Sequence, residues 1–233
     1  MPTRRATGRR VAYTLRMDEP AAPAAPQAHG PRREFWEDRF RARQTPWERG
    51  VVHPQLLRWL ADGSLSPAGL GGAIAVPGCG SGHEVAVLAQ CGFDVVAIDY
   101  AAPAIELTRE RLDQIGAKAR LVQADVLEWQ PDGPLAAVYE QTCLCALHPD
   151  HWMAYAAQLH RWLRPGGRLF ALFMQIARDG AARGFVEGPP YHGHIHAMRA
   201  LFPAPSWDWP KPPYDSVSHP LGANELALVL TRL

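Results

Sequence analysis

Three glycines, Gly78, Gly80 and Gly82, stand at alternate positions in the stretch "AIAVPGCGSGHEVAVLA", and an acid, Asp99, closes the apolar run "VVAID" that follows. A backbone without Cβ atoms admits positive φ and lets a ligand approach closely. The helix start behind it leaves N–H groups unpaired. The spacing discriminates among nucleotides. A dinucleotide fingerprint puts its third glycine five residues after the first, where this chain has His83. A phosphate-cradling Walker loop ends in G-K-[ST], and "GSGHE" carries no lysine.

G-x-G-x-G followed by an acid at the end of the next strand is instead an arrangement that binds S-adenosylmethionine. The turn packs against the amino-acid and ribose part, and Asp99 accepts hydrogen bonds from both ribose hydroxyls. In "QADVLEW", Asp125 is placed to meet the adenine amino group and Val126 to flank the ring, although Asp125 reads equally as a helix N-cap. Four cysteines, at 79, 91, 143 and 145, lack the paired C-x-x-C spacing of a zinc knuckle and do not form a disulfide framework. A reducing cytoplasm is the expected setting. Cys143 and Cys145 alternate on a strand end or loop and read as packing residues. His192, His194 and His196 alternate by two and share a face only if extended, yet "IHAMRALF" has helical spacing, so no metal is expected.

These residues need elements to position them. "AIAV", "FDVVAIDY", "ARLVQAD", "PLAAVYEQT" and "RLFALFMQI" read as strands. They are separated by the helical segments "HEVAVLAQCG", "APAIELTRERLDQIGAK" and "PDHWMAYAAQLHRWLRPGG", and "NELALVLTRL" is a last strand. Strands alternating with helices imply right-handed crossovers, hence a doubly wound α/β domain with a mostly parallel, Rossmann-like sheet. At 233 residues, 47% of them hydrophobic and 20% charged, the chain suits one domain. The net charge of +1 leaves no basic footprint for nucleic acid or an anionic membrane, and no run is long enough to span a bilayer. The expected partner is a small-molecule methyl acceptor, and the expected state a monomer. Residues 1–33 read as a disordered Arg/Ala/Pro-rich tail, 34–72 as helical segments and a linker, and 34–233 as the whole domain.

The elements "FWEDRF", "TPWERG", "VPGCGSGHEVAVLA", "YEQTCLCALHPDHW", "LRPGGRL" and "EGPPY" together resemble the thiopurine methyltransferase superfamily, in particular its halide/thiocyanate (thiol) methyltransferase branch. The resemblance spans about Glu34 to Leu233. It implies an S-adenosylmethionine-dependent methyltransferase whose N-terminal helical segment is a lid over the cofactor. Trp36, Phe40 and Trp47 then line the methionine end, Phe40 standing where a third tryptophan is frequent. Tyr100 and Gln141 join the cofactor site. Gln141 also touches the acceptor, as do Pro190 and Tyr191, and replaces an aromatic residue frequent in the family. His192, beside Tyr191, is the candidate proton acceptor for a neutral thiol. The resemblance implies methyl transfer to a thiol, thiocyanate, sulfide or halide. A heteroaromatic or natural-product acceptor, a nucleotide-linked oxidoreductase and a cofactor-binding module without catalysis are the alternatives.

Overall fold

The computed structural model describes residues 30–180 and 183–233. Of the expected tail, residues 1–29 lie outside the described residues, while Gly30 is buried and helix α1 (Arg33–Arg41) already begins within it. Described structure is therefore present before Glu34, within the segment that composition assigns to the tail.

Five strands form the parallel part of the sheet: β1 (Ile74–Pro77), β2 (Val95–Asp99), β3 (Arg120–Gln123), β4 (Leu135–Gln141) and β5 (Leu163–Gln175), which pairs with β4 as far as Leu172. β8 (Asn224–Arg232) runs antiparallel to β5 and carries β6 (Trp207–Asp208) and β7 (Asp215–Ser218) antiparallel to itself. The order is β3-β2-β1-β4-β5-β8-β6, with β7 on β8. β1 and β2 are buried along their whole length because helices cover both faces, which is why they read as continuous apolar runs and not as alternation.

One face packs under α7 (Trp152–Trp162), with Tyr155, Leu159 and Trp162 inward. The other packs under α2 (Pro54–Ala61), α4 (His83–Gln90) and α5 (Ala102–Gln114) through Leu56, Trp59, Val85, Leu88, Ile105 and Leu112. In α5 the buried positions 105, 108 and 112 recur at three and four residues, the stripe of an amphipathic helix. The reversal of strand order between β1 and β4 opens the crevice where such sheets take their ligands.

Three local readings change. The helix expected to run through "LRPGG" stops at Trp162, and Leu163 is already extended at ψ 142°, because Pro165 disfavours helical geometry just before it. The "SLSPAGLGG" linker holds a one-turn helix, α3 (Pro67–Leu70), capped by Ser66 Oγ, which accepts from Gly69 N at 3.2 Å. Cys143 and Cys145 lie on a short helix, α6 (Cys143–Ala146), and both are buried. The final helix, α8 (Ile195–Leu201), falls where its spacing indicates.

Candidate functional site

A cavity of about 1410 Å³ opens at the carboxyl ends of β1, β2 and β4. Its floor is the β1–α4 turn. Gly82 has φ +75°, and a Cβ there would stand 2.6 Å from Thr108 Oγ1. At Gly80, φ is +53° and a Cβ would meet Glu48 Oε1 at 3.0 Å. Both positions need glycine for backbone conformation and for space.

Asp99, Tyr100, Asp125, Val126 and Gln141 all reach this cavity from successive strand ends. Asp99 is buried, with Oδ2 accepting from Gly80 N at 3.1 Å and Oδ1 from Ala101 N at 2.9 Å. Burial pushes its carboxyl up to about 6, against the opposing pull of those amides. Burial likewise pushes the Tyr100 phenol up to about 12. The helix that Asp125 was read to cap is a turn over residues 126–128, in which Asp125 Oδ1 accepts from Leu127 N at 2.8 Å, and the residue lines the cavity as well. Val126 is buried beside it.

The N-terminal segment forms the opposite wall. Trp36 and Trp47 meet edge to face with centroids 5.3 Å apart, and Phe40 meets Trp47 at 6.0 Å. Glu48 Oε1 ties the segment to the glycine turn by accepting from Ser81 N at 3.0 Å. α1 rests on Ala101 and Ala104, at the start of α5, through Phe40 and Trp36. Aromatic faces of this kind attract a cation by about 0.5–2 kcal/mol.

At the end of β4, Gln141 Oε1 accepts from the buried Tyr139 hydroxyl at 2.8 Å, which leaves the amide NH₂ as donor. Thr142 follows at φ +62°, an uncommon conformation for a β-branched residue and one that turns the chain into α6 along the cavity wall. Pro190 lines the cavity. Tyr191 does not line it. It is buried behind the wall, where its ring edges against His148 at 5.4 Å and its N–H donates to Cys145 O at 2.7 Å.

His192 is a correction. Its side chain is exposed, it is not part of the cavity wall, and its Nδ1 accepts from Ile176 N at 3.1 Å. A proton acceptor for a bound thiol does not sit there. Tyr191 and Gly193 are buried on either side, while His192 between them is exposed. The histidines that do line the cavity are His83, His148, His151 and His219. Of these, His148 and His151 read in the sequence as companions of the 192–196 histidines, as metal ligands or a proton acceptor, and His83 and His219 carry no assigned role. Sequence reasoning also passed over Arg49, Arg178 and Glu48, of which Glu48 and Arg49 stand inside "TPWERG". Among the described residues no group of three or more His, Cys, Asp or Glu is placed to hold a metal, and no helix is long and apolar enough to cross a membrane.

The family model for thiopurine S-methyltransferase matches residues 32–224. A probable thiol methyltransferase 2 of Arabidopsis thaliana is 27% identical over 197 residues, covering 83% of this chain and 75% of that protein. Thiocyanate methyltransferase 1 of Brassica oleracea is 33% identical over 160 residues, covering 67% of this chain; the match spans 64% of the relative, somewhat under two thirds of its length. A solved structure of Burkholderia thailandensis 1,6-didemethyltoxoflavin-N1-methyltransferase, holding its substrate and S-adenosylhomocysteine, shares the fold with a TM-score of 0.67 at 18% identity, over 86% of each chain. The chain belongs to the thiopurine S-methyltransferase family and is an S-adenosylmethionine-dependent methyltransferase with a class I, mostly parallel α/β fold.

Proposed function

We propose that the protein moves the methyl group of S-adenosylmethionine onto a small soft nucleophile: a thiol, thiocyanate, sulfide or halide. The observation that carries this reading is one continuous cavity joining the glycine turn and Asp99 to the Gln141–Thr142 corner and Pro190. The thiol and thiocyanate methyltransferases among its relatives support the acceptor class.

The residues fit the cofactor. Gly78, Gly80 and Gly82 keep the turn bare at positive φ, and Asp99, which accepts from the Gly80 and Ala101 amides, lines the cavity with a carboxylate that a ribose diol can donate to. Asp125 and Val126 are assigned to the adenine, Trp36, Phe40 and Trp47 to the sulfonium end, and Tyr100 to the wall between. When bound, S-adenosylmethionine supplies an electrophilic methyl on a positively charged sulfur. The chain's own work is to hold the acceptor in line at about 3–3.5 Å and to exclude water. Gln141, its oxygen fixed by Tyr139, offers N–H donors to position the acceptor.

Asp99 gives a direct test of the cofactor site. Ribose hydroxyls donating to the carboxylate favour its charged form, so cofactor binding pulls the group below about 6 and releases a proton around that pH. Affinity for S-adenosylhomocysteine is expected to weaken as pH falls through 6. The stability of the empty protein runs the other way: a carboxyl raised by burial contributes stability that is full below its unfolded value of 3.8 and is lost as pH rises through about 6. Asp99→Ala is expected to lose about 1–3 kcal/mol of cofactor binding, roughly 5- to 150-fold, and to flatten the pH dependence near 6. Calorimetric titration from pH 5 to 8 reads both; unchanged affinity in a folded variant removes Asp99 from the site.

The acceptor class makes a second prediction. Thiocyanate is a permanent anion, so its turnover should be flat from pH 7 to 9. A simple alkyl thiol, with a pKa of about 8.5, should turn over faster as its thiolate accumulates. A rising limb with thiocyanate in that range would show that a protein base takes part after all.

A further inference from the structure

Glu225 and His53 are both fully buried, and neither lines the cavity. Glu225 stands on β8 opposite Met174 of β5 on one side and Val217 of β7 on the other, so its backbone is held by a strand on each flank. Its Oε2 accepts from Arg49 Nη2 at 2.9 Å and lies 2.9 Å from His53 Nε2. In His53, Nδ1 accepts from Gln55 N at 3.0 Å, so Nε2 bears the ring proton and donates it to the same oxygen. The other oxygen, Oε1, is buried and has no hydrogen-bond partner among the described residues.

Stability explains such a cluster poorly. A buried charge pair gains little over apolar side chains of the same volume, because desolvating the two charges offsets their attraction, and an unmet carboxylate oxygen adds to the cost. The cluster supplies direction instead. Two donors that converge on one oxygen, each within a narrow range of angles, fix the course of the backbone that carries them.

That backbone is the stretch after Trp47. Between α1, which ends at Arg41, and α2, which starts at Pro54, the chain has no regular helix or strand to set its path. Trp47 lines the cavity inside a turn closed by Glu48 N donating to Thr45 O at 2.9 Å. Two residues later, Arg49 ties the stretch to the sheet through Nη2, which donates to Ser218 O as well as to Glu225. His53 repeats the tie with its ring and adds one from its N–H to Glu84 Oε1 of α4 at 2.9 Å.

We infer that Glu225 is a positioning residue for the cofactor: through Arg49 and His53 it holds the Trp47 ring against the sulfonium of S-adenosylmethionine without touching the ligand itself. This rests on the assignment of Trp47 to the sulfonium end and is independent of the acceptor class.

The test is a double-variant cycle read by calorimetric titration with S-adenosylmethionine, with no acceptor present. Glu225→Gln keeps the shape and one carbonyl acceptor but removes the charge that orders Arg49. It is expected to weaken S-adenosylmethionine binding about tenfold, within the range of one cation–aromatic contact, and to weaken S-adenosylhomocysteine, which lacks the positive charge, by less. On a Trp47→Ala background the same substitution should change affinity for S-adenosylmethionine by less than about twofold, because the ring it positions is gone. Glu225→Asp, which keeps the charge and draws it back by one methylene, should restore part of the affinity. It also takes the place of Glu225→Gln in the cycle should that variant fail to fold. Unchanged affinity in folded variants, equal loss for the two ligands, or the same loss with and without Trp47 overturns the inference. If Trp47→Ala alone leaves S-adenosylmethionine binding unchanged, the sulfonium assignment falls and this inference with it; if Trp47→Ala weakens binding and neither Glu225 variant does, this inference falls alone.

Discussion

Deletion of residues 1–50 is expected to abolish methyl transfer, whereas deletion of residues 1–29 should leave it intact. The longer deletion removes Trp36, Phe40 and Trp47, one whole wall of the cavity, and with them cation attraction of about 0.5–2 kcal/mol per engaged ring. It also removes the shield against water. Glu48 goes too, leaving Ser81 N without its acceptor, and so does Arg49, leaving the buried Glu225 with His53 as its side-chain hydrogen-bond partner. Losing one member of a buried charge pair costs about 3–5 kcal/mol, so a fall in stability should accompany the loss of activity. Trp47→Ala separates the two effects, because it keeps Arg49 and Glu48 in place and should still raise the KM for S-adenosylmethionine. We propose that the segment from Glu34 to Gly50 acts as a lid over the cofactor. Equal activity of the two truncations would contradict it.

The second large effect is expected at Gly82. An alanine there adopts φ near +75°, at about 1–2 kcal/mol, and its Cβ meets the buried Thr108 side chain at 2.6–2.9 Å. Thr108 cannot easily give way, since its Oγ1 donates to Gly80 O at 2.8 Å and so supports the same turn. With overpacking at about 1–3 kcal/mol, Gly82→Ala should lose roughly 2–5 kcal/mol of stability and displace the turn that the cofactor contacts. Thermal unfolding with and without S-adenosylhomocysteine measures both. The variant should melt earlier and gain less from ligand; Thr108→Ala in the same chain should recover part of the loss. A Gly82→Ala protein as stable as the parent, with the parent's ligand response, would mean that the turn adapts freely.

The parts of this molecule that were legible in the sequence are those set by local rules. β1 and β2 are unbroken apolar runs ending in glycines and an acid, and their burial on both faces follows from that pattern. The α5 stripe follows from its period. Trp36, Phe40, Trp47, Asp99, Asp125 and Gln141 gather in one cavity, as their motifs suggested. What the sequence hid depends on pairing across long separations. β6 and β7 are short and exist through β8, which they follow by antiparallel register and not by any apolar run of their own. His219 and Arg178 reach the cavity because β5 and β8 are neighbours, a relation between residues some fifty positions apart with no local mark. His192 misled for the converse reason: proximity to a recognisable "GPPY" says nothing about which way a single side chain turns, and here the Ile176 amide holds it outside.

The most direct test of the central claim is steady-state conversion of S-adenosylmethionine to S-adenosylhomocysteine across a panel of thiocyanate, iodide, sulfide, organic thiols, amines and phenols, with the methylated product identified by mass spectrometry. The account predicts S- or halide-methylated products, with sulfur acceptors turned over far faster than amines or phenols. Efficient methylation of an amine or phenol, with every sulfur and halide acceptor inert, would contradict it.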